Sequence, residues 1–111
     1  MLELQFKERG SKMTYVMKND LVNYINAQRK EAEEYSKQPG CWMGMMPAVN
    51  ETRYWSQRVP SGTLKEFQRI ELEETAYYIT ADRTSKSYAR TLDFAAWSDD
   101  NINRHIEKMC D

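Results

Sequence analysis

The chain has 111 residues and a mass of 13.2 kDa, and its 16 Lys and Arg against 17 Asp and Glu leave a formal net charge of −1. That length suits one domain over residues 1–111, and the near-neutral balance argues against both a broad basic footprint for phosphate backbones and an acidic nucleic-acid mimic. No apolar run approaches the roughly 20 residues that a bilayer span needs, and the opening MLELQFKERG has no apolar signal-peptide core, so the expected location is cytoplasmic with no membrane partner. Met13 is a second candidate start, which would make the residues before it an extension.

Leu, Ile, Val and Phe together number only 18, a fraction at which disorder becomes a concern. The concern recedes because net charge is low and aromatics reach 12% with seven Met besides. Tyr, Trp and Met must therefore supply much of the core, each buried ring removing roughly 150 to 250 Å² from water.

Leu2, Leu4 and Phe6 alternate with polar residues, Arg9 to Lys12 reads as a turn, and Met13, Tyr15 and Met17 alternate again. Period two on both sides of a turn predicts an antiparallel hairpin over residues 2–17. Asn19 or Asp20 then offers a cap, Pro39-Gly40 a stop, and Leu21, Val22, Ile25, Ala32 and Tyr35 recur near helical spacing between them. Arg29/Glu33 and Lys30/Glu34 are opposite charges four apart on the outer face of that helix.

Residues 39–50, PGCWMGMMPAVN, are too broken for a long helix and too apolar for an ordinary solvated loop. Residues 52–59 are rich in aromatic and β-favouring types and end at Pro60-Ser61-Gly62, which reads as a strand and a turn. Thr63-Leu64-Lys65-Glu66 fits a capping box, yet Ile70 and Leu72 alternate, and strand pairing across the turn is the favoured reading. Residues 74–94 read as a hairpin with its polar turn at Asp82 to Lys86. Ser98 ahead of Asp99 and Asp100 then caps a helix carrying Ile102, Ile106 and Met109.

Two strands, a helix, an aromatic loop, a strand meander and a C-terminal helix describe an α+β domain. Its expected form is a small antiparallel sheet with helices packed on one face.

No reaction chemistry is legible. Two cysteines, Cys41 and Cys110, and one histidine, His105, do not make a metal set without a carboxylate, and no C-x-x-C or paired His spacing occurs. His105 lies five residues before Cys110, which points the two side chains apart on a helix and leaves His105 as a surface or core-edge residue. A minimal enzyme would have to use Cys41 or His105 as its reactive group. Glu71, Glu73 and Glu74 read as the polar side of a strand, glycines at 10, 40, 44 and 62 form no phosphate loop, and Asn50-Glu51-Thr52 is a sequon without a secretory context. No catalytic residue, metal or cofactor is therefore expected.

Two features remain. Trp42, Met45, Arg53, Tyr54, Trp55 and Arg58, with Met43 and Met46, hold the residue types enriched at binding hot spots, against the plainer reading that they fill a core short of aliphatics. Alternation along a strand would send Arg53 and Trp55 to one face and Tyr54 and Arg58 to the other. Arg83, Lys86, Tyr88 and Arg90 interleave basic and aromatic groups, the alternative binding set, suited to a phosphate or a stacked base. The expectation is a non-enzymatic protein that inhibits or modulates a protein partner, of the kind phages encode against host proteins. The alternative is a nucleotide or single-stranded nucleic-acid binding module.

Overall fold

The computed structural model describes residues 4–7 and 14–111 and is mostly helical, which overturns the antiparallel sheet and meander expected from sequence. Strands β1 (Leu4–Lys7) and β2 (Thr14–Met17) pair antiparallel, with Leu4 opposite Met17 and Lys7 opposite Thr14. Leu2, Met13 and the turn expected at Arg9 to Lys12 lie outside the described residues. After β2 come α1 (Asn19–Ser36), α2 (Thr52–Arg58), α3 (Leu64–Arg83), α4 (Lys86–Arg90) and α5 (Asp99–Cys110), with a short 3-10 turn at Phe94–Ala96.

Three strand expectations become helices for identifiable reasons. The segment 52–59 is α2: Trp55 and Val59, one helical turn apart, are both buried, while Arg53 and Tyr54 are exposed. Burial of a single turn's inner edge outweighs the β preference of its aromatic residues, because that preference mainly reflects fit to a half-buried pleat. Residues 64–72 belong to α3, whose start uses the capping signal. The Glu66 N–H donates to Thr63 Oγ1 at 3.2 Å. The Glu66 carboxylate reaches back to the Ser61 N–H at 2.9 Å and the Ser61 hydroxyl at 2.8 Å, two residues before the position a capping box uses. The expected hairpin at 74–94 is the rest of α3 and then α4, which starts at Ser85, whose hydroxyl accepts from the Tyr88 N–H at 3.1 Å.

The chain divides into two compact units, Met1–Phe67 and Gln68–Asp111. In the first, Met17, Leu21, Ile25, Trp55 and Val59 are almost fully buried, with Tyr15 and Phe67 beside them in the core. Helix α1 buries Leu21, Val22 and Ile25 in its first half but only Ala32 later, the narrow stripe its charged second half implies. Its N-cap position is Lys18, with no side-chain cap, in place of the expected Asn19 or Asp20. Of the expected outer-face pairs, Glu33 takes Lys37 at 3.7 Å, and the Arg29 guanidinium instead donates to a backbone carbonyl described below.

The α2–α3 turn clamps the end of β2. Gly62 has φ +70°, its carbonyl accepts from the Lys18 N–H at 2.8 Å and its own N–H donates to Val59 O at 2.9 Å. The Tyr15 hydroxyl donates to that same Val59 carbonyl at 2.9 Å.

Burial, with the nearby Glu66 carboxylate, pushes the Tyr15 phenol up to about 12 from an ordinary value of 10.0. The folded chain therefore holds a proton that the unfolded chain loses between about pH 10 and 12, so stability falls as pH rises through that window. Urea midpoints should drop across it by up to the equivalent of about 2 to 3 kcal/mol. Tyr15→Phe should cost about 1 kcal/mol at neutral pH and flatten the alkaline fall; an equally steep fall in the variant would assign it to another group.

In the second unit Ala76, Phe94 and Ile102 form the core, with Leu72, Tyr77, Leu92, Trp97 and Ile106 packed around it. Ser98 caps α5 as its sequence implies, its hydroxyl accepting from the Asn101 N–H at 3.1 Å. The organising side chain is Arg69. It donates to Glu73 at 2.8 Å, to Phe94 O at 3.0 Å, to Trp97 O at 2.5 Å, and also to Asp99. One guanidinium on α3 thus holds both ends of the 3-10 turn and the start of α5.

Candidate interaction surface

Between α1 and α2, residues 41–50 run without regular hydrogen bonding, yet side chains of the two helices fix the backbone at three points. The Ser36 hydroxyl accepts from the Met43 N–H at 3.0 Å and lies 3.4 Å from the Met43 carbonyl. Arg29 Nη1 donates to Met46 O at 2.5 Å. The Trp55 indole N–H donates to Ala48 O at 2.9 Å, and the Glu51 N–H shares that carbonyl at 3.0 Å. The segment is a strap rather than a floppy loop.

What the strap shows to solvent is apolar. Trp42 is 81% exposed, and Met43 and Met45 are 40% and 45% exposed. Such residues are ordinarily withdrawn from water, and Trp is among the costliest to leave out. Gly44 lies beneath the Trp42 ring, close enough that an added Cβ would sit 3.6 Å from Trp42 Cη2.

The other expected binding residues separate. Arg53 and Tyr54 are exposed on α2, whereas Trp55 is 1% exposed and belongs to the core, its ring 4.9 Å from Tyr54 and 5.7 Å from Phe67. Arg58 is half-buried with its guanidinium 6.0 Å from the centre of the Phe67 ring. The two-faced strand expected here is replaced by a helix that turns Trp55 inward and leaves Arg53 and Tyr54 outside. Trp55 and Arg58 accordingly act as supports.

Nothing known matches. No protein family, curated protein or solved structure is significantly similar to this chain.

The alternative set lies in the second unit. Arg83, Lys86, Tyr88 and Arg90 are all exposed, but on the end of α3 and on α4 instead of a hairpin tip. Glu71, Glu73 and Glu74 lie on α3, with Glu73 bound to Arg69. Among the described residues, no group of three or more His, Cys, Asp or Glu is placed to hold a metal ion, and no helix is long and apolar enough to cross a membrane.

Cys41 is half-buried and Cys110 exposed, both as free thiols. His105 is a core-edge residue: its Nε2 lies 2.7 Å from Thr80 Oγ1, and its ring is 5.4 Å from both Phe94 and Trp97. The Thr80 hydroxyl proton goes to Ala76 O at 2.7 Å, which leaves its oxygen to accept from His105 and assigns the Nε2–H tautomer. Sequence reading missed both this bond and the Arg69 hub. The i, i+4 spacing of Arg69 and Glu73 was the only available signal for the latter.

Proposed function

We propose that the chain is a non-enzymatic binding protein that modulates a protein partner, docking through the strap at Trp42, Met43 and Met45 with Arg53 and Tyr54 of α2 as further contacts. One observation carries the reading: a tryptophan left 81% exposed on a backbone fastened by side-chain hydrogen bonds. Fixing the strap beforehand lowers the ordering cost of association, and thioethers adapt to an irregular apolar counterpart.

The test compares affinity capture by the wild-type chain and by Trp42→Ala. A partner retained by the first and released by the second, with melting temperatures equal, is the expected result, and the loss should be about thirtyfold in affinity or more, the cost of truncating a hot spot. Retention unchanged in Trp42→Ala would remove the strap from the site. Single-stranded nucleic acid on Arg83, Lys86, Tyr88 and Arg90 is the second reading, supported by the exposure of all four. It would show as steep salt dependence of binding, where an apolar strap contact changes little.

A further inference from the structure

In the second unit, α3 and the 3-10 turn enclose an open cleft of about 300 Å³ lined by Glu73, Glu74, Tyr77, Tyr78, Asp93 and Phe94. Spacing of four on α3 sets Tyr77 one turn beyond Glu73 and Tyr78 one turn beyond Glu74, so two carboxylates and two phenol rings form adjacent columns. The Tyr rings meet edge to face at 5.2 Å. Asp93 stands at the N-cap position of the 3-10 turn but makes no capping hydrogen bond, and is exposed at the cleft. Arg69 offsets Glu73, and none of the lining residues is basic.

The geometry points to a site for a cationic side chain, an Arg or Lys presented by a polypeptide, with its stem against the Tyr77 and Tyr78 rings and its charge toward Asp93 and Glu74. Ring faces attract cations and carboxylates supply the counter-charge. The volume lies at the low end of ligand pockets, enough for one long side chain and small for a larger molecule. Tyr78 is 64% exposed, so its ring extends beyond the cleft; a polypeptide carrying the side chain would cover that remainder, and a free amine would not. This site is separate from the strap and stands or falls without it.

The ¹⁵N-labelled full chain is titrated with acetyl-Ser-Gly-Arg-Gly-Ser-amide, with the same peptide carrying citrulline, and with spermidine. Saturable shifts of the Tyr77, Tyr78, Asp93 and Ala95 amides are expected with the arginine peptide alone. Affinity should fall two- to fivefold in Tyr78→Ala and in Asp93→Asn, and fall again as ionic strength rises from about 0.01 to 0.15 M. Equal binding of the citrulline peptide, shifts elsewhere on the chain, or no shifts would overturn the site. Spermidine matching the arginine peptide would overturn the polypeptide source. Both substitutions are at exposed positions, and equal melting temperatures separate a lost contact from a lost fold.

Discussion

Gly62→Ala should destabilise the chain by about 3 to 4 kcal/mol, far more than a surface substitution between small residues ordinarily does. The φ of +70° places the residue in the left-handed region, which costs a residue with a Cβ roughly 1 to 2 kcal/mol. The larger part is collision: a Cβ here would lie 2.0 Å from Val16 O and 3.0 Å from Met17 Cα. Both are main-chain atoms of β2, so relief requires the strand end to withdraw from the turn, with loss of the Lys18 N–H to Gly62 O bond. Gly40 supplies the control. Its φ is +76°, yet nothing lies within 4 Å of the added Cβ, so Gly40→Ala should show the conformational cost alone. Urea denaturation of the two variants side by side measures the difference; equal losses would show that the close approach of β2 carries no energy.

Trp55→Ala should cost about 3 to 5 kcal/mol, the range for deleting a buried large aromatic. The ring is the largest of the fully buried side chains and touches Tyr54 and Phe67. Its second role separates in Trp55→Phe, which keeps an aromatic ring but removes the N–H held by Ala48 O. That variant should lose less stability, about 1 to 2 kcal/mol, while amide exchange rises selectively around residues 43–51. If exchange there were unchanged, the indole N–H would not be a fastening of the strap.

The sequence was legible where local signals and tertiary burial agree. Helix α5 follows from Ser98, two acids and the spacing of Ile102 and Ile106, and α1 from its Leu21, Val22 and Ile25 stripe. The middle was misread because short aromatic segments are scored by β preference when no neighbour is visible. Trp55 and Val59 are as consistent with one helical turn as with a strand, and only the surrounding core decides. At residues 63–66 the capping box was the better guide, since Ile70 and Leu72, taken as alternating strand residues, are both only half-buried on α3. Of the binding residues, Trp42 and Met45 are exposed, whereas Trp55 is in the core and Arg58 lies against Phe67. Exposure of one tryptophan and burial of the other cannot be told from residue type, since both roles use the same ring.

The strap's three fastenings have one property in common: each grips it by main-chain atoms, at Met43, Met46 and Ala48, while the gripping side chains belong to Ser36, Arg29 and Trp55 on the two helices. The residues that hold the strap and the residues it displays are therefore different residues. Trp42 and Met45 can be exchanged for other side chains without loosening the backbone that presents them, so the specificity of this surface is free to drift while its shape is inherited.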